Sequence, residues 1–444
     1  MSSLSLTRKA VVRQAWPVLI SQASMPLVGL VDTAIIGRTG DASALAGVAL
    51  GAAIMNFVFW SFGFLRMGVT GLTAQAFGAA EKDETQAIIL RASMLGACIG
   101  VALALLQFPI LNIAFTFVDA SQAATGHADA YSHARFFGAP ALLAGYAING
   151  WLLGIGRTGW ALFLQVVTNG ANILFNIWFV LGMSLGPAGV GYGTALAEWC
   201  AAITGMVICF TIIRNEGGWT SNAKSLSLLL DRQRLKRMFA VNADIMIRTI
   251  ALLAMFTWFA RSGARAGDAQ LAANHVLLQM LSVSAYVLDA FAVTAENRIG
   301  SAIGARSPQR FWRAVRLTSE FSLGGALLFG LLIWLGGAFF INLVATDELI
   351  RTTALDYLLF AAFAPIIGFA SWQLDGVFIG ATRSDAMRNA AIISLLLYVS
   401  VDLILRNYGN TGVWIAFLSS YVFRAVTLGF YIPDLIKGLR QPHH

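Results

Sequence analysis

Charge is scarce in this chain, and the scarcity excludes most of what a protein of its length could be. Only 12% of the 444 residues are Asp, Glu, Lys or Arg, about half the share usual in a soluble domain. Hydrophobic residues make up 58%, and the polar segments between apolar runs are short, so little chain remains for a soluble domain. Cysteine is rare as well. Cys98, Cys200 and Cys209 all fall inside apolar runs, with neither metal spacing nor a disulfide framework. The histidines at 127, 133, 275, 443 and 444 form no ligand cluster, so no metal is expected. The absence of a catalytic constellation argues against an enzyme or a receptor. A net charge of +8 raises nucleic acid as a partner, but the Lys and Arg are dispersed over short loops instead of forming one patch.

What the sequence does have is apolar runs of about 20 residues, the length that crosses a bilayer. Hydropathy places twelve spans. Six fall at about 14–37, 45–70, 87–109, 133–154, 160–183 and 188–213, and six at about 237–261, 270–297, 316–341, 352–377, 389–406 and 411–434. The basic start MSSLSLTRKAVVRQAW leads into a run too long for a signal sequence, so it is read as a retained first span. With a cytoplasmic N-terminus, 21 of the 30 Lys and Arg lie on that side, including Arg214, Lys224, Arg232, Arg298 and Arg306. Six lie outside: Arg38, Arg135, Arg261, Arg265, Arg351 and Arg406. The positive-inside rule then puts both ends in the cytoplasm.

The two halves repeat. AQAFGA and GWLLGIGRTG in the first correspond to GSAIGA and DGVFIGATRS in the second, and both Gly78 to Gly304 and Arg157 to Arg383 span 226 positions. Duplication of a six-span unit follows. An even number of spans gives two lobes inserted in the same direction and related by a pseudo-twofold along the membrane normal. The expected division is a lobe at 1–213, a cytoplasmic linker at 214–236 and a lobe at 237–444. Within the linker, SLSLLLDRQRLKRMF reads equally as an amphipathic interfacial helix or as an early start to the seventh span. Halves of this kind rock about a central site and give alternating access.

Against so apolar a background the few polar residues inside spans stand out, because an ionised side chain at a helix centre costs about 2.5–3.5 kcal/mol on insertion scales. Asp32 lies near the end of the first span, six residues after Pro26, which cannot donate to a carbonyl one turn earlier and leaves a weak point where the helix can bend. In the fifth span Asn169, Asn172 and Asn176 share a face, and the sixth adds Thr194 and Glu198. Together with Asp32 they make a polar pocket. Burial disfavours the charged form of a carboxyl, so a carboxylate held there can take a proton on one side and release it on the other. The asparagines also fit a plainer role as interhelical glue. In the second half, Asp244 and Arg248 stand four apart and can pair, while Asn274, Gln279, Asp289 and Glu296 are candidates for lining or gating a cleft.

These segments carry a family resemblance. MPLVGLVDTAIIG, FLRMGVTGLTAQAFGA, GWLLGIGRTG, NADIMIRT, AYVLDAFAVTAE and LDGVFIGATR resemble the DinF branch of the multidrug and toxic compound extrusion (MATE) transporters over nearly the whole chain. The resemblance implies an all-α integral membrane protein of twelve helices in two six-helix lobes around a V-shaped cleft. It also implies export of organic compounds, often cationic and lipophilic, across the cytoplasmic membrane in exchange for H⁺ or Na⁺, with no cofactor and as a monomer. Asp32 matches the family's coupling residue, with Asn172 and Thr194 as partners. Asn176 departs from the pattern, since many relatives carry a second Asp there. A hard cation wants several anionic or carbonyl oxygens, so the substitution favours H⁺ over Na⁺. The rival within transport is a flippase for a lipid-linked molecule, for which a strongly cationic cleft would be expected, whereas the intramembrane charges read as mostly acidic.

Overall fold

The computed structural model describes residues 6–117, 120–223 and 225–440; Lys224, His443, His444 and both extreme ends lie outside them. The described chain is helical, with no strands among the described residues. Its first half holds α1 (Arg8–Gly37), α2 (Ala42–Trp60), α3 (Phe64–Gly78), α4 (Lys82–Leu105), α5 (Gln107–Thr116), α6 (Gln122–Phe136), α7 (Ala139–Gly154), α8 (Thr158–Asn176) and α9 (Gly186–Asn215). After the short α10 (Leu226–Leu229) come α11 (Arg232–Ala266), α12 (Asp268–Gly304), α13 (Pro308–Val344), α14 (Glu348–Gly380), α15 (Ser384–Ile404) and α16 (Gly409–Arg440). Eleven helical stretches are long and apolar enough to cross a membrane, and twelve if α6 and α7, bent by 54° at Phe137 and Gly138, count as one.

Local chemistry marks the helix starts. Asp41 accepts the amides of Ser43 and Ala44 at 2.9 and 3.1 Å, and Asp347 those of Leu349 and Ile350 at 2.8 and 3.1 Å, filling orphan donors of the first turn. Pro140, Pro187 and Pro308 sit at helix starts, where a missing amide costs nothing. The chain keeps water from its backbone by helix formation alone, the solution a bilayer demands. Large apolar side chains such as Leu105, Phe108, Phe339 and Phe430 stay exposed on the outer faces.

The duplication extends to the backbone. The starts of α2, α4, α6 and α8 recur 226 residues later as those of α12, α13, α14 and α15 (268 less 42, 308 less 82, 348 less 122, 384 less 158). Left-handed residues recur at the same interval, Ala80 with Arg306 and Gly156 with Thr382. So do tight helix crossings: Gly150 abuts the Arg66 carbonyl and Gly154 the Thr70 carbonyl, as Gly376 abuts that of Ala292 and Gly380 that of Glu296. The copies differ in continuity. Breaks between α2 and α3, α4 and α5, and α6 and α7 have no counterpart in α12, α13 and α14.

Two compact units emerge, with boundaries that differ from the expected division. The N-terminal lobe comprises Ile20–Phe77 and Glu81–Met238; the C-terminal lobe takes the chain up to Leu19, Gly78–Ala80 and everything from Phe239. The start of α1 joins the second lobe because Gln14 donates to Asn297 Oδ1 at 2.8 Å and Arg298 donates to Gln14 Oε1 at 2.7 Å and to the Ala10 carbonyl at 3.2 Å. Arg298 is thus a buried residue of α12 and no loop cation. The linker is no free tether either. Gln86 of α4 exchanges hydrogen bonds with the Gly218 carbonyl and the Thr220 amide, and Arg91 donates to the carbonyls of Leu228 and Leu229 at 2.9 and 3.2 Å. In its second part α10 is a separate four-residue turn, and α11 starts early, at Arg232, as one of the two readings has it. Trp151, Ile148, Leu152 and Ile89 centre the core of the N-terminal lobe, and Trp414, Phe417, Phe259 and Tyr398 that of the other.

The glycine crossings generate a prediction. Gly154→Leu and Gly380→Leu should each destabilise the protein by about 1–3 kcal/mol through overpacking, while Gly170→Leu, with nothing near it, should leave thermal melting in detergent unchanged. Equal melting of all three would contradict the crossing.

Candidate functional site

Three helices of the N-terminal lobe bring the polar residues together. Asp32 of α1 is only 3% exposed, and its Oδ1 accepts the side-chain amides of Asn176 at 2.6 Å and Asn172 at 3.2 Å from α8. Asn172 Nδ2 also donates to Thr194 Oγ1 of α9 at 2.9 Å, and that hydroxyl donates to the Val190 carbonyl at 3.0 Å. The four-residue spacing of the asparagines puts both amides on one face. Gly193 leaves the room, since a Cβ there would run into the Asn176 side chain. Directly after Asn176 the helix loosens into a π-turn at Ile177–Gly182, a distortion found often at functional sites. A buried carboxylate without donors would be costly; two amides supply them here. The amide oxygens of both asparagines are themselves buried and meet no donor.

The third asparagine serves another purpose. Asn169 accepts from Gln165 at 2.9 Å and donates to the Ser24 carbonyl at 3.3 Å, bracing α1 two residues before Pro26. That proline lies inside an uninterrupted α1. Glu198, one turn beyond Thr194, is bound by Arg135 Nη1 at 2.8 Å. The sequence reading set Arg135 on the outer side; it is buried at the end of α6.

The comparisons bear on this geometry. The MatE family model matches residues 17–178 and 245–404, one segment in each half. The chain belongs to the MatE family. It is 34% identical to "DNA damage-inducible protein F" of Escherichia coli (strain K12), over 96% of this chain and 92% of that one. With "Probable multidrug resistance protein NorM" of Acinetobacter baylyi it shares 23% identity, over 93% of each. A crystal structure of MATE in the bent conformation aligns with a TM-score of 0.87 at 19% identity, covering 99% of this chain and 100% of that one, which shows the fold. The protein is a multi-pass membrane transporter.

In the second half of this MatE protein the predicted residues take separate partners. Asp244 and Arg248 do not pair. Arg248 binds Asp375, whereas Asp244 accepts from Arg388 at 2.6 Å and Ser384 at 3.1 Å, because α14 and α15 offer better-placed partners than the next turn of α11. Arg424 approaches Asp375 at 3.7 Å and donates to Ser371 at 2.9 Å. Asn274 exchanges hydrogen bonds with Asn410 and accepts the Trp414 indole at 2.8 Å. Gln279 meets His275 at 3.1 Å on an exposed face. Asp289 is half-buried and Glu296 buried, each engaged by neighbours. Sequence reasoning missed Arg135, Gly193 and Asp402, whose Oδ2 accepts from Trp258, Ser262 and Arg265 at 2.8 Å each. A carboxylate in a span implies a cation nearby, and Glu198 could have flagged Arg135. Buried cations accompany the intramembrane acids: Arg135, Arg248, Arg298 and Arg424 are all buried.

Asp375→Asn would strand two buried guanidiniums and should cost about 3–5 kcal/mol. Glu216→Gln, which removes the exposed partner of Arg157, should cost less than about 1 kcal/mol. Thermal melts of the solubilised proteins decide, and a wild-type melt for the Asp375 variant would refute the pairing.

Proposed function

We propose that this transporter is a secondary active antiporter that exports organic compounds, many of them cationic and lipophilic, across the cytoplasmic membrane in exchange for protons taken up at Asp32. One observation carries the reading. Around a single buried carboxyl, two asparagines present amide donors that suit its charged form and amide oxygens, without donors, that suit its protonated form once an amide turns over. Both states of Asp32 therefore have partners in one pocket. Asp32 is the one carboxylate in this cluster, with Asn176 standing where many relatives carry a second Asp, so the anionic oxygens that a hard cation prefers are fewer, which favours H⁺.

Protonation removes the charge that holds the two amides to Asp32 and frees the end of α1. The helix then yields near Pro26, where one ladder bond is missing, and the pocket is reshaped so that substrate leaves; deprotonation on the cytoplasmic side restores binding. The distribution of Lys and Arg supports cytoplasmic termini. The protein acts as a monomer in this scheme.

Efflux of a fluorescent cationic dye from reconstituted vesicles, under a proton gradient alone and a Na⁺ gradient alone, tests the reading. Efflux with protons only, abolished in Asp32→Asn at an unchanged level of protein in the membrane, is expected. Efflux driven by Na⁺, or an Asp32→Asn variant as active as the parent, would overturn it, and no dye transport under either gradient would favour a lipid-linked substrate.

A further inference from the structure

A second buried acid sits beside the coupling site with a cation of its own. Arg135 lies in the last turn of α6, just before the 54° break, and Glu198 faces it from α9. Both side chains are 7% exposed. The contact is one-sided: Arg135 Nη1 meets Glu198 Oε1 at 2.8 Å, while Oε2 is buried without a hydrogen-bond partner. The break makes the space. A Cβ on Gly138 would strike Glu198 Oε2, and the carbonyl freed at Phe137 is taken by the Trp199 indole at 3.1 Å. Phe59 lies under the guanidinium, with Arg135 5.2 Å from its ring centre.

This pair adjoins the polar pocket. Glu198 stands one helical turn beyond Thr194, which holds the Asn172 amide shared with Asp32. The positive charge of Arg135 acts on Glu198, on Tyr131 and on Asp32. Among the described residues, the titratable groups that interact with Asp32 are Arg135 of α6, Glu198 of α9 and the neutral Tyr131 phenol of α6; Tyr146 of α7 interacts with Glu198 and Arg135, and α8 contributes only amides. Asp32, Glu198 and Arg135 together carry one net negative charge, so uptake of one proton leaves the pocket neutral.

We infer that Arg135 and Glu198 form a fixed counter-charge, with Arg135 as the positioning residue that sets the pH at which Asp32 exchanges its proton. The inference rests on the proton-coupled reading above. It assigns the pair no contact with substrate. The cation keeps a deeply buried Asp32 able to lose its proton to the cytoplasm, and Glu198 keeps that cation from holding Asp32 permanently charged. A buried pair that only braced α6 against α9 would change stability when broken, without a signed effect on proton exchange.

The test is the pH dependence of dye efflux in reconstituted vesicles at a fixed proton gradient, with folding checked by gel filtration and Asp32→Asn as the coupling control. In Arg135→Gln the negative charge of Glu198 is left over, so Asp32 holds its proton to higher pH and the midpoint of the profile moves up by about one pH unit, the lower end of what a neighbouring charge does to a carboxyl. In Glu198→Gln the unbalanced Arg135 moves it down. Each single variant decides the matter alone should the other fail to fold. The double variant, with no unpaired charge to bury, falls between them, and Arg135→Lys restores the parent profile. Shifts of the same sign, or unshifted profiles in folded variants, would overturn the inference while leaving the coupling role of Asp32 standing. A fully active Asp32→Asn would instead remove the reading on which it rests.

Discussion

Inside a bilayer no water is available to complete an unfinished hydrogen bond, and the rest of this structure follows from that constraint. It makes every span a helix, because only a helix satisfies its own backbone. It makes each buried charge answer to another residue of the same lobe: Asp32 to two asparagines, Glu198 to Arg135, Asp375 to Arg248 and Arg424, Asp402 to Trp258, Ser262 and Arg265. The Asp32 pocket differs from the others in one respect. Its carboxylate is met directly by neutral amides, whereas Glu198, Asp375 and Asp402 each have a guanidinium in contact. A carboxylate clamped by a cation gives up its charge reluctantly; one solvated by amides can change state while its neighbours merely turn over.

Much of this was legible in the sequence because the signals were periodic or rare. Runs of about 20 apolar residues specify spans, and an Asp in such a run is costly enough to single out. Asn172 and Asn176 were legible by spacing, since positions four apart on a helix must share a face, while Thr194 on the next helix was joined to them as a polar residue in a span and through the family resemblance. Duplication was legible too, because glycines at tight crossings are fixed by backbone geometry and recur at one interval in both halves.

The rest was hidden because it depends on neighbours distant in sequence. Asp244 and Arg248 satisfy the rule for pairing along a helix, but that rule is worth only about 0.2–0.5 kcal/mol, and tertiary partners on α14 and α15 outweigh it. Arg135 and Arg298 sit near the ends of apolar runs, where hydropathy cannot tell a loop cation from a buried one. The lobe boundary at Leu19 was invisible for a related reason: a continuous helix can belong to two bodies, and only the Gln14 and Arg298 contacts reveal where it changes allegiance.

The asymmetry between the copies has a mechanical meaning. A continuous helix resists bending along its whole length, while a break, a π-turn or a sharp corner concentrates compliance in a few residues. The copy that holds Asp32 has such joints after α2, α4, α6 and α8, whereas its duplicate runs α12 and α13 as continuous helices of 37 residues each and α14 as a continuous helix of 33 with Pro365 inside it. One ancestral unit has thus been tuned into two materials. Compliance is concentrated in the copy that carries Asp32.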